Sequence, residues 1–219
     1  MPAVVDWGRR GYLDALAAMR SAVRARRAGS IGDLLVLVEH PPVVTVGVEG
    51  DDGGAVASGL PVVHVERGGR ATYHGPGQLV GYPIVDLEPR GRDVRRFVHE
   101  LEELLVRALR TWGVEAGHVS GRRGVWIAGE RKIASIGIAV DHWVTFHGFA
   151  LNVVPDLAEF DRFHPCGFDG SVMTSIAREL DRPIGVADVK PAIVDAWEAV
   201  FGSKAPSAPA SAIAEPPIA

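Results

Sequence analysis

The 219-residue chain has a single cysteine, Cys166. One thiol makes no internal disulfide, which fits a reducing compartment, and a cytoplasmic location is expected. Lysine is almost as scarce: of 23 basic residues only Lys132, Lys190 and Lys204 are not arginine. No apolar run approaches the ~20 residues of a membrane span, so no membrane partner is expected. The opening MPAVVDWGRRGY lacks the apolar core of a secretory signal. CxxC, HExxH and GxSxG spacings are all missing. Their absence disfavours the common zinc sites and the serine-hydrolase elbow, and no metal is expected. A net charge of −4 argues against nucleic acid as the main partner.

What the chain does contain is ordinary for one soluble domain, with 47% hydrophobic and 23% charged residues. Residues Gly11 to Ala28 place Tyr12, Leu16, Met19 and Val23 on one stripe of an amphipathic helix, with Arg20, Arg24, Arg26 and Arg27 on its outer face. LLVLVEH and VVTVG read as buried strands separated by Pro41-Pro42, and EGDDGGAVASG as an exposed loop. From Val94 to about Trp112, Phe97, Leu101, Leu104, Leu105 and Leu109 define a strong helical face that predicts a helix covering a sheet. GRRGVWIAGERKIASIGIAVD predicts a hairpin turning at Ala128 to Arg131, and WVTFHGFALNVV an alternating strand. Helices are expected after Ser171 and over Val186 to Phe201. Strands outnumber helices and the two are interspersed, which predicts an α+β domain over residues 1–202, with helices packed on mixed sheets. The Pro/Ala/Ser-rich residues 203–219 are expected to be a disordered tail.

Three features carry candidate chemistry. The stretch ERGGRATYHGPGQLVGYPIVDL, from Glu66 to Leu87, gathers glycines and prolines around Arg67, Tyr73 and His74, with strand-like segments on both sides. It predicts a rigid loop that offers amides and a few side chains to a substrate. Cys166 stands in His-Pro-Cys-Gly, a loop context unlike the apolar surroundings of a structural thiol. A reactive thiol needs a lowered pKa, and Lys132 and His74 are the candidates to exchange its proton. Lys132 is notable in a chain that otherwise uses arginine, because a lysine can give up its proton near neutrality and an arginine cannot.

Taken in order, EHPPVVTVG, RGGRATYHGPGQLVGYPIVDL, KIASIGI, GFALNV and PCG resemble the lipoyl(octanoyl) transferase family over roughly Leu35 to Ser175. The resemblance implies the fold shared by the catalytic domains of biotin and lipoate protein ligases. It implies transfer of an octanoyl group from the phosphopantetheine thiol of acyl carrier protein, with no cofactor. The acceptor is a lysine on a lipoyl domain of a 2-oxoacid dehydrogenase or on glycine cleavage H protein. Cys166 corresponds to the family's acyl-carrying nucleophile and Lys132 to its catalytic partner. The implied substrate contacts are Arg67, Gly68, Gly69, Arg70, Ala71, Thr72, Tyr73 and His74, then Ser135, Ile136 and Gly137, then Gly148, Phe149 and Ala150. Small residues such as Gly137 and Gly148 are expected to leave room for the acyl chain. Acidic carriers would dock on a basic face, either Arg20, Arg24 and Arg27 or Arg90, Arg92, Arg95 and Arg96. One departure stands out, because Val48 occupies a position where the family often has arginine. Two other readings are an ATP-dependent lipoate ligase on the same fold, which would not need the PCG thiol, and a carrier-binding module without chemistry.

Overall fold

A computed structural model describes residues 3–50, 54, 58–163 and 169–202. Among the described residues ten strands and four α-helices are interspersed: β1 (Ala3–Arg9), α1 (Tyr12–Arg27), β2 (Leu34–Glu39), β3 (Val43–Val46), β4 (Val62–His64), β5 (Ala71–His74) and β6 (Gln78–Ile84). Then come α2 (Val94–Arg110), β7 (Ala116–Val119), β8 (Arg122–Ile127), β9 (Arg131–Asp141), β10 (Val144–Asn152), α3 (Ile176–Leu180) and α4 (Val186–Phe201). Seven strands form one sheet in the order β1-β2-β6-β10-β9-β8-β7, and β4-β3-β5 form a second, smaller one. Each sheet contains one parallel pair, β1 with β2 and β3 with β4, among antiparallel neighbours. This is the α+β architecture with mixed sheets that the sequence implies.

The large sheet is covered on both faces. On β2, Leu34, Val36 and Val38 pack against Tyr12, Leu16, Met19 and Val23 of α1. Leu35 and Leu37 point the other way, into a core built with Phe97, Leu101, Leu104 and Leu105 of α2 and Trp197 and Phe201 of α4. A strand alternates its side chains between faces, so two apolar faces require the unbroken run LLVLV. The same double cover buries all nine residues of β10, the strand expected in WVTFHGFALNVV.

Asp93 caps α2 by accepting a hydrogen bond from Arg96 N–H, and the helix ends at Arg110, two residues before Trp112. The hairpin of β8 and β9 turns over residues 128–130, close to the expected place. β1, with little alternation and a half-exposed edge position, carries no clear strand signal in the sequence.

The arginine-rich face of α1 is less free than its sequence suggests. Arg20 pairs with Glu66, Arg27 with Asp141, and Arg26 is drawn inward to the buried Asp33 at 2.9 Å. Arg90 also reaches Asp33, while Arg92 and Arg96 pair with Glu88 and Glu100. The proposed basic docking faces are thus partly neutralised by their own neighbours.

Candidate active site

The Gly-rich stretch does not form a single loop. Residues 71–74 are β5, fully buried and paired antiparallel to β3, Thr45 opposite Thr72 and Val43 opposite His74. Strand alternation then divides the expected contacts. Ala71 and Tyr73 face the small core with Phe160, Phe163 and Met173, whereas Thr72 and His74 face a cleft between the two sheets. The turn of Arg67, Gly68 and Gly69 closes one side of that cleft, held by the Gly68 N–H, which donates to Ile138 O at 2.9 Å. Arg70 points away, with Nε 3.7 Å from Glu49.

β9 and β10 supply the cleft's floor. Their register sets Ser135 opposite Ala150, Ile136 opposite Phe149 and Gly137 opposite Gly148, so two motifs distant in sequence become one surface. Ser135, Ile136, Gly137, Gly148, Phe149 and Ala150 all line the cleft, together with Arg67, Gly68, Gly69, Thr72 and His74. The glycines here have a further reason besides room for a ligand. A Cβ at Gly148 would lie 2.1 Å from Gly81 O, and one at Gly137 would lie 2.8 Å from Gly68 O. Close backbone approach requires them, whatever space the ligand takes.

A buried polar chain fixes the walls. Arg67 donates from Nη2 to Thr45 O at 2.6 Å and to Thr45 Oγ1 at 2.9 Å. Thr45 Oγ1 lies 3.2 Å from His74 Nε2, and His74 Nδ1 lies 2.8 Å from Gln78 Oε1. Gln78 Nε2 donates to Tyr73 O and to Asn152 Oδ1, which leaves its oxygen to accept from His74. His74 therefore carries its proton on Nδ1, and its Nε2 accepts from the threonine hydroxyl. Both ring nitrogens are engaged, and burial, reinforced by nearby His40, lowers its pKa to about 3. Exchanging a proton at His74, the role that the sequence offered it, would require breaking one of these two bonds. The chain continues through Asn152 Nδ2, which donates to Thr174 O, while Thr174 N–H donates to Lys132 O.

Lys132 lies on β9, 3% exposed, with Nζ 5.4 Å from the centre of the Trp126 ring. Its backbone also bridges to Met173 in parallel. Cys166 lies outside the described residues. The two ends of its segment are anchored in the same small core, by Phe163 before it and Met173 after it. Met173 is thus both an anchor of that segment and the backbone partner of Lys132. Val48 sits beside the Arg67 turn, its N–H donating to Arg67 O and the residue 68% exposed.

Four further residues line the cleft: Tyr12, Val80, Tyr82 and His147. Their sequence signals were those of core. Tyr12 belongs to the apolar stripe of α1, yet its hydroxyl comes within 3.5 Å of His147 Nδ1, 135 residues away. His147 is buried with φ at +56°, a sparsely populated conformation for a side-chain-bearing residue. Among the described residues its Nε2 has no hydrogen-bond partner of good geometry, and it stands 3.5 Å from Glu66 Oε2. Behind it, His40 Nδ1 donates to Arg10 O at 2.8 Å and Nε2 accepts from Tyr82 at 2.7 Å.

These histidines predict acid lability. Burial lowers His40 and His147 to about 4 from the usual 6.5, with Arg67 adding to the effect at His147, and His74 falls further. Between pH 6.5 and about 4 the unfolded chain binds protons that the folded chain refuses. Unfolding free energy therefore falls as pH falls through this window, on the order of 3 kcal/mol for each histidine shifted by this much. Urea denaturation at neutral pH and near pH 4.5 checks this. Equal stability at the two values would mean the imidazoles are not held neutral.

The chain matches the family model of the lipoyl protein ligase A/B catalytic domain over residues 11–198. It is 44% identical over 210 residues to an octanoyltransferase of Geobacter sulfurreducens, covering 96% of this chain and 89% of that protein. It is 47% identical over 185 residues to an octanoyltransferase of Citrifermentans bemidjiense, covering 84% and 90% respectively. Its fold is similar to the crystal structure of lipoate-protein ligase A bound with ATP, with a TM-score of 0.71 at 17% identity. That likeness covers 92% of this chain and 85% of the ligase.

Proposed function

The chain belongs to the lipoyl protein ligase A/B catalytic-domain family, and from that premise we propose that it is an octanoyltransferase. The observation that carries this reading is identity above 40%, over most of the chain, to relatives bearing that name. The donor is an octanoyl thioester on the phosphopantetheine arm of an acyl carrier protein, and the acceptor is a lysine amine on a lipoyl domain or on glycine cleavage H protein. The reaction belongs to the cytoplasm, and no helix among the described residues is long and apolar enough to cross a membrane.

Lys132 holds the proton of the Cys166 thiol; the thiolate attacks the donor carbonyl, and the departing carrier thiolate takes that proton from Lys132, which is left neutral. The octanoyl group now rests on Cys166 as a thioester. The acceptor amine attacks that carbonyl, the Cys166 thiolate is expelled, and the amine proton passes to neutral Lys132. One thioester becomes one amide in the two steps. Exchanging a proton this way requires an amine that can exist without charge, a task closed to arginine.

The cleft suits an alkyl chain. Val80, Ile136, Phe149 and Ala150 provide apolar surface, while Arg67, Thr45, His74 and Gln78 satisfy one another. A hydrocarbon entering there strands few polar groups, and each buried CH₂ contributes about 0.8 kcal/mol. Likeness to an ATP-bound ligase fold keeps one second reading in view, activation of free octanoate by ATP. Assay with octanoyl carrier protein and a lipoyl domain separates the two. Transfer without ATP is expected; strict dependence on ATP with free octanoate would make the protein a ligase.

A further inference from the structure

At the edge of the large sheet, α2 and β7 bring together three side chains that the acyl-transfer reading does not use. His99 and Glu102 stand three residues apart on one face of α2, and His118 meets them from β7. Their nearest ligand atoms all lie within 4.8 Å of one another. Glu102 Oε2 is 3.2 Å from His118 Nδ1 and 3.8 Å from His99 Nδ1. Around one tetrahedral zinc ion such atoms stand about 3.3 Å apart, so the three can close on a cation with shifts of roughly an ångström. We propose that His99, Glu102 and His118 form a binding site for a divalent transition metal of the zinc class.

The outer contacts fit that use. With Nδ1 of His118 on the metal, its Nε2–H is left to donate, and Glu103 Oε1 waits 2.8 Å away. A carboxylate behind a metal-bound imidazole fixes its tautomer and raises its basicity. Glu102 is held as well, because Gly124 N–H donates to its Oε1 at 3.0 Å and leaves Oε2 toward the histidines. Two imidazole nitrogens and one carboxylate favour zinc-like ions over calcium or magnesium, and three protein ligands leave a fourth position open. Arg95, Arg122 and Arg123 line the adjacent groove and oppose a cation there, an effect the Glu102 and Glu103 carboxylates offset. No local spacing announces this site, because His118 joins the helical pair only through the pairing of sheet and helix. Metal-free, the same atoms form a hydrogen-bonded cluster in which His118 is clamped between Glu102 and Glu103.

The two states are separable by titrating Zn²⁺ calorimetrically into the full-length, tag-free protein. One equivalent should bind. His99→Ala and His118→Ala should each weaken binding by at least about tenfold, and Glu103→Gln by about tenfold or less. Cys166→Ser should leave it unchanged. The melting temperature should rise with Zn²⁺ concentration in the wild type and not in His118→Ala, because the ion binds only the folded arrangement of α2 and β7. His99 is solvent-exposed, so His99→Ala tests the site even if His118→Ala folds poorly. Failure of the wild type to bind, or affinity unaffected by the histidine substitutions, would reduce the group to a hydrogen-bonded surface cluster. Loss of binding in Cys166→Ser would instead assign the metal to the lone thiol.

Discussion

Incubation with octanoyl carrier protein and no acceptor will leave one octanoyl group on the protein, carried by Cys166. Intact-protein mass spectrometry reads the added mass, and peptide mapping locates it. Hydroxylamine, which cleaves thioesters and spares amides, will remove it. Cys166→Ser will show no label and will lose transfer by about 10³-fold or more, the scale on which removing a nucleophile acts. The expectation stands on the lone thiol in a Gly/Pro context and on the anchoring of its segment. Phe163 and Met173 hold both ends in one core, and Met173 and Thr174 bind the backbone of Lys132. An active enzyme without a covalent intermediate, or a label on another residue, would remove Cys166 from the mechanism.

Lys132→Arg will be nearly as inactive as Lys132→Ala, each losing about 10²-fold or more. Were Lys132 only a fixed positive charge beside a thiolate, arginine would keep part of the activity. Proton exchange needs a neutral amine, and a guanidinium with a pKa above ~12 offers none. Packing adds a second effect that must be separated from the first. Lys132 is buried over Trp126, and Gly124 comes so close that a Cβ there would stand 2.9 Å from Lys132 Cε. A longer, planar head in that space costs about 1–3 kcal/mol of overpacking. Lys132→Met keeps the stem and removes the amine, so it serves as the control. Loss of transfer in Met and Arg variants that melt near the wild type supports proton exchange. Substantial transfer by a folded Arg variant would make Lys132 an electrostatic group and require another base. His74 would not supply it, since both its nitrogens are already bonded.

Much of the fold was legible because local order follows local pattern. The stripe of Phe97, Leu101, Leu104, Leu105 and Leu109 can be buried on one side only as a helix, and the unbroken LLVLV only as a strand covered on both faces. Lys132 and Cys166 were singled out by rarity and by flanking residues, which are properties of the chain itself. Tertiary structure alone decided the rest. Ala71 to His74 became a strand because β3 offered a partner, and its two-residue period turned Thr72 and His74 toward the cleft and Tyr73 away from it. Tyr12 and His147 look like core in isolation, and each is buried as core residues are. They meet at the cleft because α1 crosses the sheet there, a contact between segments more than a hundred residues apart. Periodicity constrains which way a side chain points along its own element. Which element it then faces depends on strand order and register, and those follow from long-range pairing that no short window of sequence contains.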